Sequence, residues 1–308
     1  MEILLQLFIL ALGFGMLVKG ADWFVDGSSS IARKFGIPQL VIGLTIVAMG
    51  TSAPEAAVSI TAAIKGNADI TIGNIVGSNI LNILIILGLS SVITALAVAK
   101  STIRIETPFM IAITGLLLIL GLDGEIGLLD GIIMLVAFAA YLAYLFMMAK
   151  KNKEEADKET KELSLIKALL WTVIGLVLIV WGSDFTVDAA TKIAKALGLS
   201  ERFIGLTIVA LGTSLPELFT SVSAARKGNA DIAIGNIVGS NIFNILFVVG
   251  LSALIVPVPF ASGFIFDTAA AIFAAVLLLA CCIKTGKLSR GAGILMLISY
   301  IVYFVIIW

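Results

Sequence analysis

Two glutamates, Glu55 and Glu217, each follow a proline inside a strongly apolar stretch, in the matching strings Gly50-Thr51-Ser52-Ala53-Pro54-Glu55 and Gly212-Thr213-Ser214-Leu215-Pro216-Glu217. A charged side chain at membrane depth costs about 2.5–3.5 kcal/mol on insertion scales, so each glutamate needs a proton, a partner or a cation to offset it. A single glutamate could be a protonated carboxyl bridging two helices. Two at matching positions point instead to an ion site. The prolines strengthen this reading. Each removes the amide that would bond the carbonyl four residues back, at Gly50 and Gly212, and bends its helix there. Unwound backbone at that depth is tolerated where it lines a cavity. The carbonyls from Ala48 to Thr51 and from Ala210 to Thr213 are therefore candidate cation ligands.

The surrounding side chains extend the pattern. At helical spacing Thr51, Glu55 and Ser59 fall on one face, as do Thr213, Glu217 and Ser221. Asn74, Ser78 and Asn82 follow at intervals of four, and Asn236, Ser240 and Asn244 repeat them. Ligation is expected of Ser78, Asn82, Ser240 and Asn244, and amide hydrogen bonds between helices of Asn74, Asn79, Asn236 and Asn241. Gly73, Gly77, Gly235 and Gly239 lie on a neighbouring face, where small residues let helices approach closely. Every candidate ligand is an oxygen, since the chain has no histidine and its only cysteines, Cys281 and Cys282, are adjacent and far from these motifs. Hard cations are implied, and six to eight flexible oxygens suit Ca²⁺ better than Mg²⁺, which keeps its waters. Two carboxylates together can be compensated by one divalent ion, by two monovalent ions or by protons. If the empty, doubly charged site crosses poorly between states, opposing ions become coupled.

The elements that position these residues are membrane helices. Of the 308 residues 60% are hydrophobic and only 13% charged, with mean hydropathy +1.14, outside the range of soluble domains. Ten apolar stretches near the roughly 20 residues a spanning helix needs lie at about 3–21, 39–63, 70–98, 105–121, 127–149, 164–183, 202–224, 232–256, 264–283 and 290–307. The first opens Met1-Glu2 without a basic segment and has a counterpart mid-chain, so it reads as structure rather than a leader. The loops between ten spans fall alternately on two sides. One collects Arg33, Lys34, Lys100, Arg104, six lysines of 150–167, Arg226, Lys227, Lys284, Lys287 and Arg290, and the other only Lys65, Lys192, Lys195 and Arg202, 15 against 4. The positive-inside rule makes the first side cytoplasmic and turns both termini outward. Zero net charge gives no reason to expect nucleic acid, and no obligate protein partner is evident.

Residues 65–84, KGNADITIGNIVGSNILNIL, recur at 227–246 as KGNADIAIGNIVGSNIFNIL. The offset of 162 also maps Glu55 onto Glu217, and Asp22 and Asp26 onto Asp184 and Asp188. The chain therefore divides into a first repeat, 1–149, a charged linker, 150–162, too short for a folded regulatory domain, and a second repeat, 163–308. Five spans per half is odd, so the second half enters the membrane from the opposite side. The expected fold is an all-α integral membrane protein, ten transmembrane helices in two inverted-topology repeats of five. In such proteins the substrate site lies near the midplane between repeats. Asp22, Asp26, Asp184 and Asp188 read as interfacial or capping residues near span ends, and Trp23, Trp171 and Trp181 as interface anchors.

The paired GTSxPE and GNIVGSN strings resemble the α-repeats of the sodium/calcium exchanger branch of the cation/Ca²⁺ antiporters, over essentially the whole chain. The resemblance implies alternating-access exchange of Na⁺ for Ca²⁺ at a site between spans 2, 3, 7 and 8, with spans 1 and 6 sliding past that core. It implies that Glu55 and Glu217 are shared by both ions and that Thr51 and Thr213 supply carbonyl and hydroxyl ligands. Further Na⁺ ligands would be Ser52, Ser214, Ser78, Ser240 and the carbonyls of Ala48 and Ala210, with Asn82 and Asn244 flanking the centre. Some members carry aspartate at the position of Asn244, so this site has two carboxylates, and the asparagines favour K⁺-independent exchange. No cofactor is implied, the ions being substrates, and the family stoichiometry of three Na⁺ per Ca²⁺ makes transport electrogenic.

Three rivals use the same residues differently. A Ca²⁺/H⁺ antiporter would protonate the glutamates, since burial favours the neutral carboxyl, but proton-coupled relatives usually carry a different motif around the glutamate. An intramembrane hydrolase would need an activated nucleophile, and the chain offers neither a histidine base nor a Gly-x-Gly-Asp motif. A passive cation channel could use the same ligands, but inverted repeats with central glutamates favour alternation.

Overall fold

The computed structural model describes residues 2–151, 163–197 and 210–307. Linker residues 152–162, residues 202–209 of the seventh expected span and Arg202 lie outside the described residues.

The described chain is helical: α1 (Glu2–Phe35), α2 (Gln39–Thr51), α3 (Ala53–Ile64), α4 (Ile70–Ile93), α5 (Thr102–Asp123), α6 (Leu128–Lys151), α7 (Leu165–Ala196), α8 (Ala210–Thr213), α9 (Leu215–Arg226), α10 (Ala230–Ile255), α11 (Gly263–Cys282) and α12 (Arg290–Ile307). Eight of them are long and apolar enough to cross a membrane, and α2 and α3 meet the same criteria taken together, bent by 50° at the break between them. The bend falls at Ser52, two residues past the Gly50 carbonyl where it was expected. Pro54, in the first turn of α3, has no N–H to continue the ladder of α2, and Pro216 stands likewise in the first turn of α9.

Two spans are longer than their apolar runs. α1 continues past residue 21 to Phe35, and α7 past residue 183 to Ala196. At 1.5 Å per residue α1 extends about 50 Å, well beyond the ~30 Å hydrocarbon core. Asp22, Asp26, Asp184 and Asp188 therefore sit inside continuous helices and cap nothing, which corrects their assignment as capping residues. The polar half of α1 stays helical because partners receive it: Ser28, Ser29 and Ser30 are buried, and Asn229 donates to Ser29 Oγ at 3.1 Å.

α1 and α7 pack antiparallel along their length. A Cβ on Gly20 would stand 2.8 Å from the Gly175 carbonyl oxygen, and one on Gly13 would stand 2.9 Å from that of Gly182. Only glycine permits this approach. Trp23 stacks on Trp171 with ring centroids 5.9 Å apart, and the Lys19 and Lys167 ammonium groups lie over these rings. The two helices form a single rod.

α4 and α10 form the centre. In their apolar stretches 78% and 83% of residues are buried within the protein, against 39% or fewer in the other six spans. Gly239 of α10 lies so close to α2 that a Cβ there would meet the Leu44 carbonyl oxygen at 2.7 Å. Two antiparallel bridges of two residues each tie the ends of the bundle: β1 (Leu96–Ala97) with β4 (Lys287–Leu288), and β2 (Glu125–Ile126) with β3 (Val258–Pro259). Leu96 pairs with Leu288 and Ile126 with Val258, so the bridges exchange under the 162-residue offset.

Candidate functional site

The proline break shapes the site. Because the helix turns at Ser52, Thr51 ends α2 while Glu55 and Ser59 belong to α3, and the single polar face expected for the three is split between two helices. Thr51 Oγ1 donates to Asn236 Oδ1 of α10 at 3.0 Å, and Ser59 Oγ accepts from Asn74 Nδ2 at 2.9 Å. The second half repeats the latter contact, with Asn236 Nδ2 donating to Ser221 Oγ at 2.9 Å. Each of these asparagines also donates to the carbonyl of its own half's glutamate, Asn74 to Glu55 at 3.3 Å and Asn236 to Glu217 at 3.4 Å.

Glu55 and Glu217 are fully buried, and each is met by hydroxyls from the opposite half. Ser52 Oγ donates to Glu217 Oε1 at 2.7 Å and Ser214 Oγ to Glu55 Oε1 at 3.4 Å. The Thr213 hydroxyl also faces the Glu55 carboxylate, and those of Thr51 and Ser240 face Glu217. α3 packs against the 244–249 turn of α10, and α9 against the 82–87 turn of α4. Each glutamate-bearing helix thus reaches the asparagine of the other half.

Asn82 and Asn244 each open a short π-helical stretch, Asn82–Leu87 and Asn244–Val249. Such wide turns recur at functional positions because they re-aim a side chain within a continuous helix. Between them Asn79 and Asn241 bond reciprocally: Asn79 Nδ2 donates to the Asn241 carbonyl at 3.2 Å and Asn241 Nδ2 to the Asn79 carbonyl at 3.1 Å. Asn82 Nδ2 then donates to Asn241 Oδ1 at 2.9 Å, and Asn244 Nδ2 to Asn79 Oδ1 at 3.1 Å. These bonds engage every one of the four amide nitrogens and leave each outer asparagine with a free oxygen.

Among the described residues, Glu55 Oε2, Glu217 Oε2, Asn82 Oδ1 and Asn244 Oδ1 are buried and have no hydrogen-bond partner. Orphaned buried acceptors are costly, and a hard cation satisfies such a set. No third histidine, cysteine, aspartate or glutamate joins the two carboxylates among the described residues.

The other sequence candidates are placed as follows. The Ala48 carbonyl accepts from the Ser52 amide at 3.0 Å and from the Ser240 hydroxyl at 3.3 Å, and the Thr51 hydroxyl oxygen lies 3.3 Å from it. Ser78 is buried on α4, and Ala210 opens α8. The sequence reading anticipated bonds between helices for Asn79 and Asn241 but not that they would orient Asn82 and Asn244. It also gave no part to Lys227, whose ammonium lies 2.8 Å from Asp26 Oδ1 and 3.4 Å from Asp22 Oδ1. The signal was present, since the lysine and both aspartates recur at the same offset as the glutamates.

The sequence profile of the family described as sodium/calcium exchanger protein matches residues 5–147 and 167–308. The sodium/calcium exchanger MaX1 of Methanosarcina acetivorans is 33% identical, covering 97% of each chain. The inner membrane protein YrbG of Escherichia coli is 36% identical over 99% of this chain and 97% of its own. Among solved structures, the sodium-calcium exchanger NCX_Mj soaked with zero Na⁺ and Ca²⁺ superposes with a TM-score of 0.88 at 35% identity, over 99% of this chain and all of that one. Matched in both halves and alike in fold, the chain belongs to the sodium/calcium exchanger family of multi-pass membrane antiporters.

Proposed function

We propose that the protein moves Ca²⁺ across the membrane in exchange for Na⁺ by alternating access, through one central site built around Glu55 and Glu217. The observation that carries this reading is the set of four unpartnered oxygens, one carboxylate and one asparagine amide from each half. Two carboxylates match the charge of one Ca²⁺, and Thr51, Thr213, Asn82 and Asn244 complete its oxygen shell. Ser52, Ser214, Ser78, Ser240 and the Ala48 and Ala210 carbonyls serve Na⁺ ions arrayed around the same pair. Three Na⁺ against two carboxylates leave one excess positive charge, so the exchange is electrogenic.

The architecture underlying this reading is ten spans in two inverted repeats, 1–149 and 163–308, joined by the linker 150–162. The antiparallel contact of α1 with α7 supports it, as do the cross-bonded serines and the bridges that exchange under the repeat offset. The linker and the other lysine-rich loops face the cytoplasm, and both termini face outward.

The test is uptake of ⁴⁵Ca²⁺ into Na⁺-loaded proteoliposomes with and without an outward Na⁺ gradient. Uptake that needs the gradient, and that a K⁺ diffusion potential changes, is the expected result. Uptake indifferent to Na⁺ but driven by a pH gradient would transfer the same site to Ca²⁺/H⁺ exchange.

A further inference from the structure

The lysine-rich end of the contact between α1 and α9 is held by ionic contacts. Besides its two carboxylate contacts, the Lys227 ammonium donates to the Asp22 carbonyl oxygen at 2.8 Å, and Ser223 Oγ donates to Asp22 Oδ1 at 2.7 Å. Every one of these groups runs from the second half of the chain to a helix of the first. The repeat offset maps Lys227 onto Lys65, Asp22 onto Asp184 and Asp26 onto Asp188.

At the mirrored end the same groups are apart. Among the described residues Lys65 makes no ion pair, and Asp184 and Asp188 border a cavity of about 440 Å³ that reaches Pro54 and Thr213, beside Glu55. At the Lys227 end the corresponding space is about 340 Å³, and Lys227 and Arg226 themselves line it together with Asp22, Val222 and Ser223. Equivalent residues are thus engaged on one side and separated on the other, and the separated side carries the larger cavity, which reaches Pro54 and Thr213 on either side of the buried Glu55.

We infer that Lys227 and Lys65 are alternating latches on the rod formed by α1 and α7. Lys227 on Asp22 and Asp26 holds the rod where the cavity beside Glu55 is open. Lys65 on Asp184 and Asp188 holds it in the opposite state. The inference rests on the alternating-access exchange proposed above. The energetics suit a latch that releases in every cycle. The three side chains keep 27%, 39% and 41% of their surface in contact with solvent, so each pair is weak. A contact present in only one of two states shifts their populations by its full, modest worth. Both lysines are positioning residues that touch no transported ion.

The test uses purified full-length protein with Cys281 and Cys282 replaced by alanine and a single reporter, either Val58→Cys in the larger cavity or Val222→Cys in the smaller, labelled by a water-soluble maleimide. Lys227→Gln should slow labelling at position 58 and speed it at position 222, each roughly two- to fivefold. Lys65→Gln should do the reverse, and Lys227→Arg should match the parent. The charge exchange Asp26→Lys with Lys227→Asp should restore the parent pattern, which a merely structural lysine would not require. Changes of the same sign at both reporters, or none at either, overturn the latch. Flux measured on the same proteins separates the two readings: reciprocal labelling without Na⁺-dependent ⁴⁵Ca²⁺ uptake in the parent removes the exchange and keeps the latch, and normal uptake without reciprocity removes the latch alone.

Discussion

Ser52, from the first half of the chain, donates to Glu217 of the second at 2.7 Å, whereas the mirrored bond from Ser214 to Glu55 is 3.4 Å long. Hydrogen bonds to charged groups are worth about 1.5–3 kcal/mol when well made and lose strength as they lengthen. Ser52→Ala is therefore expected to weaken Ca²⁺ binding by roughly tenfold or more and Ser214→Ala by less than about threefold. Titration calorimetry on the two variants checks the order, and equal losses would show that the difference in length carries no energetic weight.

Replacing either glutamate by its amide removes charge with almost no change in volume. Glu55→Gln and Glu217→Gln are each expected to abolish Na⁺-driven Ca²⁺ movement while leaving a monodisperse, folded protein, because one remaining carboxylate no longer matches a divalent ion. Exchange at parental rates by either variant in proteoliposomes would remove both residues from the site.

The reciprocal bonds of Asn79 and Asn241 make a different prediction. Asn79→Ala strands the buried Asn244 amide and takes one of two donors from the Asn241 carbonyl, which keeps its backbone bond, at about 1–3 kcal/mol for the unpaired group. Its melting temperature in detergent should fall by several degrees, and its Ca²⁺ affinity should fall too, although residue 79 presents no free oxygen to an ion. An affinity loss without any loss of stability would mean that Asn79 meets the ion directly.

Rod packing can be probed with two glycines of α1, five residues apart. Gly20→Ala puts a methyl group 2.8 Å from the Gly175 carbonyl oxygen, whereas a Cβ at Gly15 meets nothing within 4 Å. Overpacking of this kind costs about 1–3 kcal/mol. Thermal unfolding should separate a destabilised Gly20→Ala from a Gly15→Ala that behaves as the parent.

Sequence alone carried the reading a long way where it repeats itself. The doubled proline and glutamate strings announced a bend, two residues early at Gly50, and the two carboxylates that the structure places among hydroxyls of opposite halves. Hydropathy placed the apolar core of each described span but undercounted α1 and α7, because it measures transfer into lipid, whereas the polar turn Ser28 to Ser30 of α1 is buried in protein. The division of Thr51 from Glu55 was illegible, since helical periodicity is uniform and the bend is not. The π-helical turns at Asn82 and Asn244 leave no compositional trace. Lys227 was missed for a related reason: its partners lie on the far side of the chain, and a residue read in its own neighbourhood shows only a basic loop.

The ionic contact of Lys227 with α1 also orders the making of the protein. Asp22 and its ammonium partner are separated by 205 residues, which a ribosome adding about 5–20 residues per second takes roughly 10–40 s to span. Until then the acidic residues of α1 lack this partner, and α7, which covers its glycine face, is itself complete only at residue 196. The surroundings of α1 are therefore completed only by residues of the second half, late in synthesis.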